Sequence, residues 1–469
     1  MNDSFDIIVI GGGTAGYPAA IRASQLGMSV ACVERGATLG GTCLNVGCIP
    51  SKALLHSTEL FADLSEGLEK HGIGVSGVAL DLAQMISRKN EVVAGLTKGV
   101  EHLLKKNKVE WVKGSARFTA HDRLAVDLAE GGARSLTATK GIIVATGSDV
   151  ARLPGIDIDE ERVVSNTGAL SLKKVPDHLV VIGGGYIGLE LGCVWRRLGA
   201  RVTVIEFLES IVPSMDREIS RHLLKTLKQQ GLDFRFQTKV TSVEKRPDDL
   251  LIAIEPSNGG ATETLAADVV LVAVGRRPYT DGLGLDQVGV LLDPKGRIPV
   301  ELGFKTVVPG IYAIGDVIAG PMLAHKTTLD GVRCVEGIAG RYPGVDYNTV
   351  PAVIYTSPEV ASVGKPEEEL KAAGVDYKSG TFPFLANSRA RCNGDTRGLT
   401  KLLADAKTDR LLGAHIIGPD AGTMIHEAVL AMEYGGTTED IALTTHAHPT
   451  LPESLKEAAL VLLGQGMHI

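Results

Sequence analysis

The sequence predicts an α/β fold in which one strand–helix–strand unit occurs twice and an α+β domain follows. The pattern of buried strand, Gly-x-Gly-x-x-Gly, helix, second strand and acidic residue occurs at residues 5–34 and again at 179–206. From about residue 347 onward this pattern is absent, and strands mix with amphipathic helices such as 423–434. At 469 residues the chain is too long for one hydrophobic core, so about three packed units are expected.

The first copy of the repeat predicts a dinucleotide site. Its strand 5–10 ends in a glycine loop and is followed by a helix over 19–23. Such glycines permit a tight turn and let a pyrophosphate lie on the exposed N–H groups at the helix N-terminus. The next strand ends at Glu34, which is placed to accept hydrogen bonds from a ribose. The loop glycines are Gly11, Gly13 and Gly16.

The second copy repeats these features in the same register. The distance from the first glycine to the acid is 23 positions in both copies, from Gly11 to Glu34 and from Gly183 to Glu206. A single glycine loop is weak evidence, because it can be only a strand-to-helix turn, but two copies in register indicate a real internal repeat. The glycines of the second loop are Gly183, Gly185 and Gly188.

Each copy also closes with an apolar strand that ends in glycine, at Thr146-Gly147 and at Gly275. The predicted fold is therefore α/β with two Rossmann-like dinucleotide-binding domains plus a C-terminal α+β domain. Two such domains imply two nucleotides, a tightly held FAD in the first and an exchanging nicotinamide in the second. Glu206 favours NAD over NADP, because a carboxylate repels a 2′-phosphate.

Two cysteines, Cys43 and Cys48, predict a redox-active disulfide. In an ideal helix, positions five apart lie roughly 8 to 9 Å from each other, beyond the ~7 Å that a disulfide can span. A bond between them requires a distorted helix start, which Gly47 permits, and such a bond is expected to be labile. Lys52 lies one helical turn after Cys48 and favours its thiolate. One alternative is a pair of reduced cysteines in a turn. A metal site is a second alternative, but no His or Cys pair of suitable spacing completes it.

The run Gly40-Gly41-Thr42-Cys43-Leu44-Asn45-Val46-Gly47-Cys48-Ile49-Pro50-Ser51-Lys52 resembles the redox signature of the pyridine nucleotide-disulfide oxidoreductases. The residues of this motif are most similar to those of the branch that oxidises dihydrolipoamide. The resemblance covers essentially the whole chain and implies that Cys43 exchanges with substrate. It places Cys48 against the flavin as the charge-transfer thiolate. Lys52 would lie at the flavin N5 edge, paired with Glu190.

The resemblance extends to the segment after the second repeat. A strand over 306–316 is expected to return to the flavin domain, and the family places Asp316 on the flavin ribityl chain. Asp316 could also be only a helix N-cap. Met322, Ala324 and His325 resemble the segment that borders the flavin ring, although His325 could be a packed histidine without a chemical role.

Near the C-terminus, His448 and Glu453 match the family's catalytic pair in spacing. A positioned imidazole that removes a thiol proton is typically worth about 10² to 10⁴ in rate. Thr450 and Glu453 also form the pattern of a capping box, which alone could explain both residues. His446 does not match and is expected to be structural. By resemblance, the pair completes the active site of the other subunit of a homodimer.

These observations predict four segments. They are an FAD-binding domain at 1–149, an NAD-binding domain at 150–278, a central segment at 279–346 that completes the FAD domain, and an interface domain at 347–469. The expected activity is oxidation of dihydrolipoyl groups through Cys43, Cys48 and FAD, with reduction of NAD. The expected partner is the lipoyl-carrying protein of a 2-oxoacid dehydrogenase or glycine-cleavage complex.

Composition and charge exclude other classes of function. A net charge of -7 without basic clusters gives no footprint for nucleic acid or an anionic membrane. Apolar runs fall short of the roughly 20 residues that span a bilayer, and the N-terminus shows no export signal, so a cytoplasmic protein is expected. Of six cysteines, four are expected to be structural, namely Cys32, Cys193, Cys334 and Cys392.

The sequence supports four other functions less well. A glutathione or trypanothione reductase is disfavoured because Glu206 argues against NADP. A mercuric reductase would carry a C-terminal cysteine pair, and a soluble transhydrogenase would lack the two redox cysteines. A flavin-bound scaffold or sensor with little activity is disfavoured by the complete set of catalytic residue types. No metal site is expected.

Overall fold

A computed structural model describes residues 3–66, 68–341 and 344–469. Its strands are β1 (Ser4–Ile10), β2 (Val30–Glu34), β3 (Glu110–Ala120), β4 (Arg123–Leu128), β5 (Ala133–Val144), β6 (Ser148–Val150), β7 (Val163–Val164), β8 (His178–Ile182), β9 (Arg201–Ile205), β10 (Leu232–Arg235), β11 (Thr238–Lys245), β12 (Leu250–Pro256), β13 (Glu263–Ala267), β14 (Val269–Val272), β15 (Arg276–Pro278), β16 (Ile311–Ala313), β17 (Ala352–Ile354), β18 (Glu359–Gly364), β19 (Tyr377–Pro383), β20 (Leu399–Asp405) and β21 (Leu411–Gly418). Its helices are α1 (Gly16–Gln25), α2 (Gly41–Val46), α3 (Cys48–Glu66), α4 (Leu82–Lys106), α5 (Asn166–Ala169), α6 (Tyr186–Arg197), α7 (Arg217–Gln229), α8 (Ala324–Ile338), α9 (Glu367–Ala372), α10 (Ser388–Asn393), α11 (Ala421–Glu433), α12 (Thr438–Leu443) and α13 (Glu453–Leu462).

The chain divides into two compact units. Unit one comprises Met1–Leu54, Asp81–Ala151 and Gly275–Tyr347, and unit two comprises Leu55–Leu80, Arg152–Val274 and Asn348–Ile469. Unit one thus gathers most of segments 1–149 and 279–346, and unit two gathers most of 150–278 together with 347–469. The division into four functional segments stays a prediction.

Unit one is built on a parallel sheet in the order β3-β2-β1-β5-β16, with β4 pairing antiparallel to β3 and β5. The central strand β1 is fully buried at Ile7, Ile8 and Val9. A parallel strand that is covered on both faces carries a continuous apolar run rather than an alternating one. This explains why Phe5 to Ile10 reads as a buried strand in the sequence.

The nucleotide sheet of unit two has the order β10-β9-β8-β14-β7, and all its pairs are parallel. Its strands β10-β9-β8-β14 match β3-β2-β1-β5 of unit one in position and direction, so the predicted internal repeat is confirmed. The outermost strand differs, because β7 precedes β8 in the chain whereas β16 follows β5. An antiparallel three-stranded sheet, β11-β12-β13, accompanies it. The predicted α/β fold with two Rossmann-like domains is confirmed.

The C-terminal part of unit two is an antiparallel sheet in the order β17-β18-β21-β20-β19. Helix α11 packs on β18 and β21, and helix α13 packs on β19 and β20. The amphipathic helix predicted at 423–434 is α11, Ala421–Glu433. This is the expected α+β domain.

Two expectations require correction. The strand predicted at 306–316 is only β16, Ile311–Ala313, because Pro309 lacks an N–H group and Gly310, at φ +84°, turns the chain just before it. Cys392 is exposed, whereas Cys32, Cys193 and Cys334 are buried, so only these three are packed structural residues. No helix in the described ranges is long and apolar enough to cross a membrane.

Candidate active site

The outer glycines of each loop are required by the packing of the chain itself. In the first copy, Gly11 has φ +104°, and a Cβ there would clash with the Ala145 carbonyl group. A Cβ at Gly16 would overlap the Gly11 carbonyl oxygen. The second copy repeats both contacts, because Gly183 has φ +107° and Gly188 packs on the Gly183 carbonyl oxygen. These four positions shape the turn.

The middle glycine of each loop has a different reason. A Cβ at Gly185 would meet no described atom within 4 Å, and one at Gly13 would meet only Gly41 Cα, at 3.6 Å. The chain itself therefore leaves room at both positions. This is the space that a pyrophosphate needs in order to approach the backbone at the start of α1 or α6.

This difference makes Gly188→Ala and Gly185→Ala a matched pair. We expect Gly188→Ala to lower the free energy of unfolding by about 1–3 kcal/mol through overpacking. Gly185→Ala should change it by less than about 0.5 kcal/mol. It should weaken NADH binding roughly tenfold or more, since the methyl group would meet the ligand. Calorimetry measures the change in stability, and NADH titration measures the change in binding. Equal melting temperatures for the two variants would contradict the assignment.

The two acids hold their glycine loops in the same way. Glu34 accepts hydrogen bonds from the N–H groups of Gly12, at 2.7 Å, and Gly36, at 2.6 Å. Glu206 accepts them from Gly184, at 2.6 Å, and Leu208, at 2.8 Å. A carboxylate has about four acceptor positions, so each can also accept hydrogen bonds from a ribose. The predicted acids thus lie beside their loops in both copies.

The redox cysteines lie on either side of a break between two helices. Cys43 is in α2 (Gly41–Val46), and Cys48 begins the 19-residue helix α3. Gly47 separates them with φ -134° and ψ -116°, which is not helical. The distorted helix start that the spacing requires is therefore present. Both cysteines are thiols in this structure, and their side chains are hydrogen-bonded to each other.

The surroundings of the cysteine pair set the chemistry of the thiols. The hydrogen bond with Cys48 and burial raise the pKa of the Cys43 thiol well above its ordinary value, and the Lys52 ammonium acts in the opposite direction. Cys48 stands at the positive end of a long helix, and Lys52 follows it by one turn in the same helix. Both features favour a thiolate at Cys48 once the pair is separated.

Asp316 lies in a short 3₁₀ turn, Gly315–Val317, directly after β16. Its Oδ2 accepts a hydrogen bond from Ser148 Oγ at 2.5 Å. Its Oδ1 is buried and has no hydrogen-bond partner among the described residues. A buried carboxylate oxygen without a partner is costly, so this atom fits a ligand hydroxyl such as one of the flavin ribityl chain. Asp316 is not a helix N-cap, because the N-caps of the 3₁₀ turn and of α8 are Ile314 and Leu323.

A buried ion pair supports this turn. Lys326 Nζ lies 2.7 Å from Asp330 Oδ2, and both side chains are fully buried. Lys326 donates to the Gly315 carbonyl oxygen at 3.1 Å, and Asp330 accepts from the Gly315 N–H, also at 3.1 Å. Because both backbone groups of Gly315 are held, the position of the following Asp316 is fixed.

Arg276 is a residue that the sequence analysis missed. Its Nε donates to Ser148 Oγ at 2.7 Å, and its Nη2 donates to the Ser148 carbonyl oxygen at 2.6 Å and to Thr42 Oγ1 at 3.3 Å. One feature of the sequence does indicate that Arg276 lies near Ser148. Ser148 and Arg276 each follow the glycine that closes one copy of the repeat, Gly147 or Gly275, and the two exits pair as β6 with β15.

Other predicted residues are placed as follows. Thr146 Oγ1 donates to the Tyr279 carbonyl oxygen at 2.5 Å, and both Gly147 and Gly275 have positive φ. Met322 lies two residues before the start of α8, and Ala324 and His325 begin that helix. Glu190 is buried in α6 and accepts the Tyr355 N–H at 3.0 Å. Its pairing with Lys52 stays a prediction.

The C-terminal pair is in contact. His448 Nδ1 lies 2.9 Å from Glu453 Oε1, and the imidazole is exposed. Burial of Glu453 acts to raise the pKa of its carboxyl group, but the Thr450 N–H and His448 outweigh it, and the pKa lies below its ordinary value. A charged carboxylate thus orients the ring and leaves Nε2 available, which suits a general base.

The capping box at this pair was predicted wrongly. Glu453 Oε2 accepts the Thr450 N–H at 2.8 Å, but Thr450 Oγ1 donates to the Ala447 carbonyl oxygen. The N-cap of α13 is Pro452. Only half of the box forms, so capping does not account for both residues. His446 is bonded elsewhere, to Glu427 Oε1 at 2.8 Å.

Comparison with known proteins places this geometry in context. Residues 5–331 match the family model "Pyridine nucleotide-disulphide oxidoreductase", and residues 350–459 match its dimerisation domain. The chain is similar to dihydrolipoyl dehydrogenase 1, mitochondrial, of Arabidopsis thaliana, with 54% identity over 100% of this chain and 92% of that one. It is 53% identical to dihydrolipoyl dehydrogenase 3 of Pseudomonas aeruginosa over the full length of both. The crystal structure of LpdA from Mycobacterium tuberculosis superposes with a TM-score of 0.90, at 26% identity, over 97% of this chain and 99% of that one.

Proposed function

Since the chain belongs to the pyridine nucleotide-disulphide oxidoreductase family, we propose that it is a dihydrolipoyl dehydrogenase that reduces NAD. The observation that carries this proposal is the cysteine pair at the helix break between α2 and α3, in a chain that is 53% identical over its full length to a dihydrolipoyl dehydrogenase. Glutathione-type and mercuric reductases, and a scaffold with little activity, are the alternatives.

The chain's residues fit both cofactors. We assign FAD to the first glycine loop, Glu34 and the unpartnered Oδ1 of Asp316, with Met322, Ala324 and His325 at its ring. NAD is assigned to the second loop and Glu206. When bound, the flavin carries an electron pair from the cysteine pair to NAD.

The chemical step begins at the Cys43–Cys48 disulfide of the oxidised enzyme. A substrate thiolate attacks Cys43 Sγ, a mixed disulfide forms, and Cys48 leaves as a thiolate. The second substrate thiolate then attacks the substrate sulfur of the mixed disulfide. The lipoyl ring closes, and Cys43 is released. Two electrons thus pass from the dithiol to the cysteine pair, and the two thiol protons are released.

His448 receives the first of these protons. A thiol near its free pKa is a weak nucleophile at neutral pH, and the imidazole held by Glu453 can remove its proton. In the proposed homodimer, His448 of each chain serves the cysteine pair of the other. The dimerisation domain at 350–459 supports this assembly.

The lipoyl group acted on is expected to be attached to a carrier protein of a 2-oxoacid dehydrogenase or glycine-cleavage complex. This partner is implied by the proposed activity. The cytoplasmic location expected from the sequence also stays a prediction.

The function is tested by anaerobic formation of NADH from NAD by the purified yellow protein. Dihydrolipoamide is the donor, and reduced glutathione and a mixture without dithiol are the controls. Rapid NADH formation with dihydrolipoamide alone is expected. Absence of turnover in protein that retains FAD would overturn the proposal.

We expect NAD to be used far better than NADP. Glu206 is held by two backbone N–H groups, so its carboxylate cannot easily move away from a 2′-phosphate. Like-charge repulsion of several kcal/mol corresponds to a kcat/KM ratio on the order of 10² to 10³. Steady-state rates with both coenzymes measure the ratio. Glu206→Gln should lower this ratio of kcat/KM values. Equal use of both coenzymes by the unaltered enzyme would show the prediction to be wrong.

A further inference from the structure

We propose that Lys401, in the C-terminal domain, is a positioning residue for NAD that anchors the loop supporting the second glycine loop. This support loop comprises residues 207–215, which join Glu206 to Asp216, the N-cap of α7. Lys401 lies on β20, and all of these elements belong to unit two. The inference rests on the proposed function, because it takes NAD to bind at the second glycine loop.

The support loop contacts the second glycine loop at three points. The Val212 N–H donates to the Gly184 carbonyl oxygen at 3.1 Å. The buried side chain of Ile211 packs against the same glycine, since a Cβ there would lie 3.1 Å from Ile211 Cγ2. The Tyr186 hydroxyl group, at the start of α6, lies 3.3 Å from Ser214 Oγ. The position of the glycine loop therefore depends on where the support loop lies.

The support loop contains a strained residue. Val212 is buried and has φ +39°, a backbone conformation that a branched side chain rarely adopts and that persists only where the surrounding structure holds it. Its carbonyl oxygen accepts hydrogen bonds from the Met215 N–H at 2.9 Å and from Ser220 Oγ at 3.4 Å. Because Ser220 lies in α7, the strained turn depends on the position of the start of that helix.

Lys401 fixes the start of α7 through a group of buried charges. Its Nζ lies 3.1 Å from Asp216 Oδ2 and 2.8 Å from Glu367 Oε2, and Glu218 Oε2 is also 3.1 Å away. The Lys401 side chain is 3% exposed and that of Asp216 is fully buried. An ammonium group has three N–H donors, so one is available for each carboxylate. Burial acts to lower the pKa of Lys401, but Glu367 and the other carboxylates outweigh it and raise the pKa above its ordinary value.

Backbone hydrogen bonds complete the connection between α7 and α9. Asp216 Oδ1 accepts from the Glu218 N–H at 2.9 Å, and its Oδ2 accepts from the Glu367 N–H at 3.2 Å. In return, Glu368 Oε2 accepts from the Arg217 N–H at 3.3 Å. This arrangement places several carboxylates around one buried cation. Without the Lys401 ammonium, their mutual repulsion should move the start of α7, and with it the support loop, away from α9.

The test compares NADH binding by the FAD-loaded enzyme and its Lys401 variants. Lys401→Met should weaken NADH binding about tenfold, a coupling of ordinary size, and should raise the KM for NAD similarly. The kcat at saturating NAD, the KM for dihydrolipoamide and the FAD content should stay the same. Lys401→Arg keeps the cation and should retain most of the affinity. Unchanged NADH affinity in Lys401→Met, or an equal loss in Lys401→Arg, would overturn the proposal.

Glu367→Gln provides a second variant in case Lys401→Met does not fold. It removes one partly exposed carboxylate and leaves Lys401 and Asp216 in place, so NADH binding should weaken by a smaller factor, about threefold. If Lys401→Met is not obtained folded, unchanged NADH affinity in Glu367→Gln would overturn the proposal by itself.

Ile416→Ala is the matched control for loss of stability. Ile416 lies on β21 in the hydrophobic core of the C-terminal domain, so its truncation should lower the melting temperature without changing NADH affinity. A loss of affinity equal to that of Lys401→Met would mean that general destabilisation is the cause. If the unaltered protein bound no NADH, the assignment of NAD to this site and the role of Lys401 would both be rejected. Normal NADH binding without dihydrolipoamide turnover would reject the proposed function alone.

Discussion

Replacement of either Cys43 or Cys48 by serine is expected to lower dihydrolipoamide-dependent NAD reduction on the order of 10⁴-fold or more, as loss of a covalent nucleophile does. A hydroxyl group cannot form the mixed disulfide or accept the electron pair. Steady-state NADH formation measures the loss. Both variants should fold and retain FAD, because serine differs from cysteine by a single atom and both cysteines are only partly buried beside the helix break.

The two variants should differ in the flavin spectrum. Cys43→Ser leaves Cys48 as the remaining thiol of the pair, and this thiol is expected to lie against the flavin and to add long-wavelength absorbance as a thiolate. Cys48→Ser leaves Cys43, which is expected to face the substrate, and should lack that absorbance. A reversed pattern would show that the two roles are exchanged.

Cys392→Ser is the matched control for these substitutions. Cys392 is an exposed thiol in α10, outside the cysteine pair. Its replacement should leave both activity and spectrum unchanged. If Cys43→Ser retained more than about a tenth of the activity, a dithiol mechanism through Cys43 would be untenable.

The repeat was predictable from the sequence because its signals are local. Strand, glycine loop, helix and acid occupy about 30 consecutive residues, and the reason for Gly16 is a steric contact with Gly11 within that same segment. The break at Gly47 was predictable for a similar reason, since disulfide geometry and helix geometry conflict over five residues.

The chain from Arg276 to Asp316 was not predictable in this way. Its two hydrogen bonds join Arg276 to Ser148 and Ser148 to Asp316, residues that are 128 and 168 positions apart in the sequence. What brings them together is the duplication itself, because both copies end in a glycine and the strands that follow pair as β6 and β15. The capping box failed for the opposite reason. Its local pattern is present at Thr450 and Glu453, but Thr450 Oγ1 and Glu453 Oε1 have other partners.

His448→Gln is expected to lower kcat/KM for dihydrolipoamide about 10² to 10⁴-fold, the usual contribution of a general base. The physical reason is that the substrate thiol must lose its proton before it can attack Cys43. The loss should shrink as the pH rises toward the pKa of the substrate thiol, because free thiolate then replaces the missing base. A pH profile of kcat/KM measures this. Glu453→Gln should cause a smaller loss, since the imidazole remains but loses its carboxylate partner at 2.9 Å.

His446→Gln separates general-base loss from damage to the fold, because His446 lies two positions away and is bonded to Glu427. The hydrogen bond to Glu427 raises the pKa of His446 above its ordinary value of 6.5. That pairing stabilises the folded chain below about pH 6.5, and the contribution fades as the pH rises through the raised pKa. His446→Gln should therefore lower the melting temperature more at pH 6 than at pH 9, with little effect on kcat/KM. Equal losses of activity in His446→Gln and His448→Gln would mean that this loop acts through its fold, and His448 would no longer stand as the base.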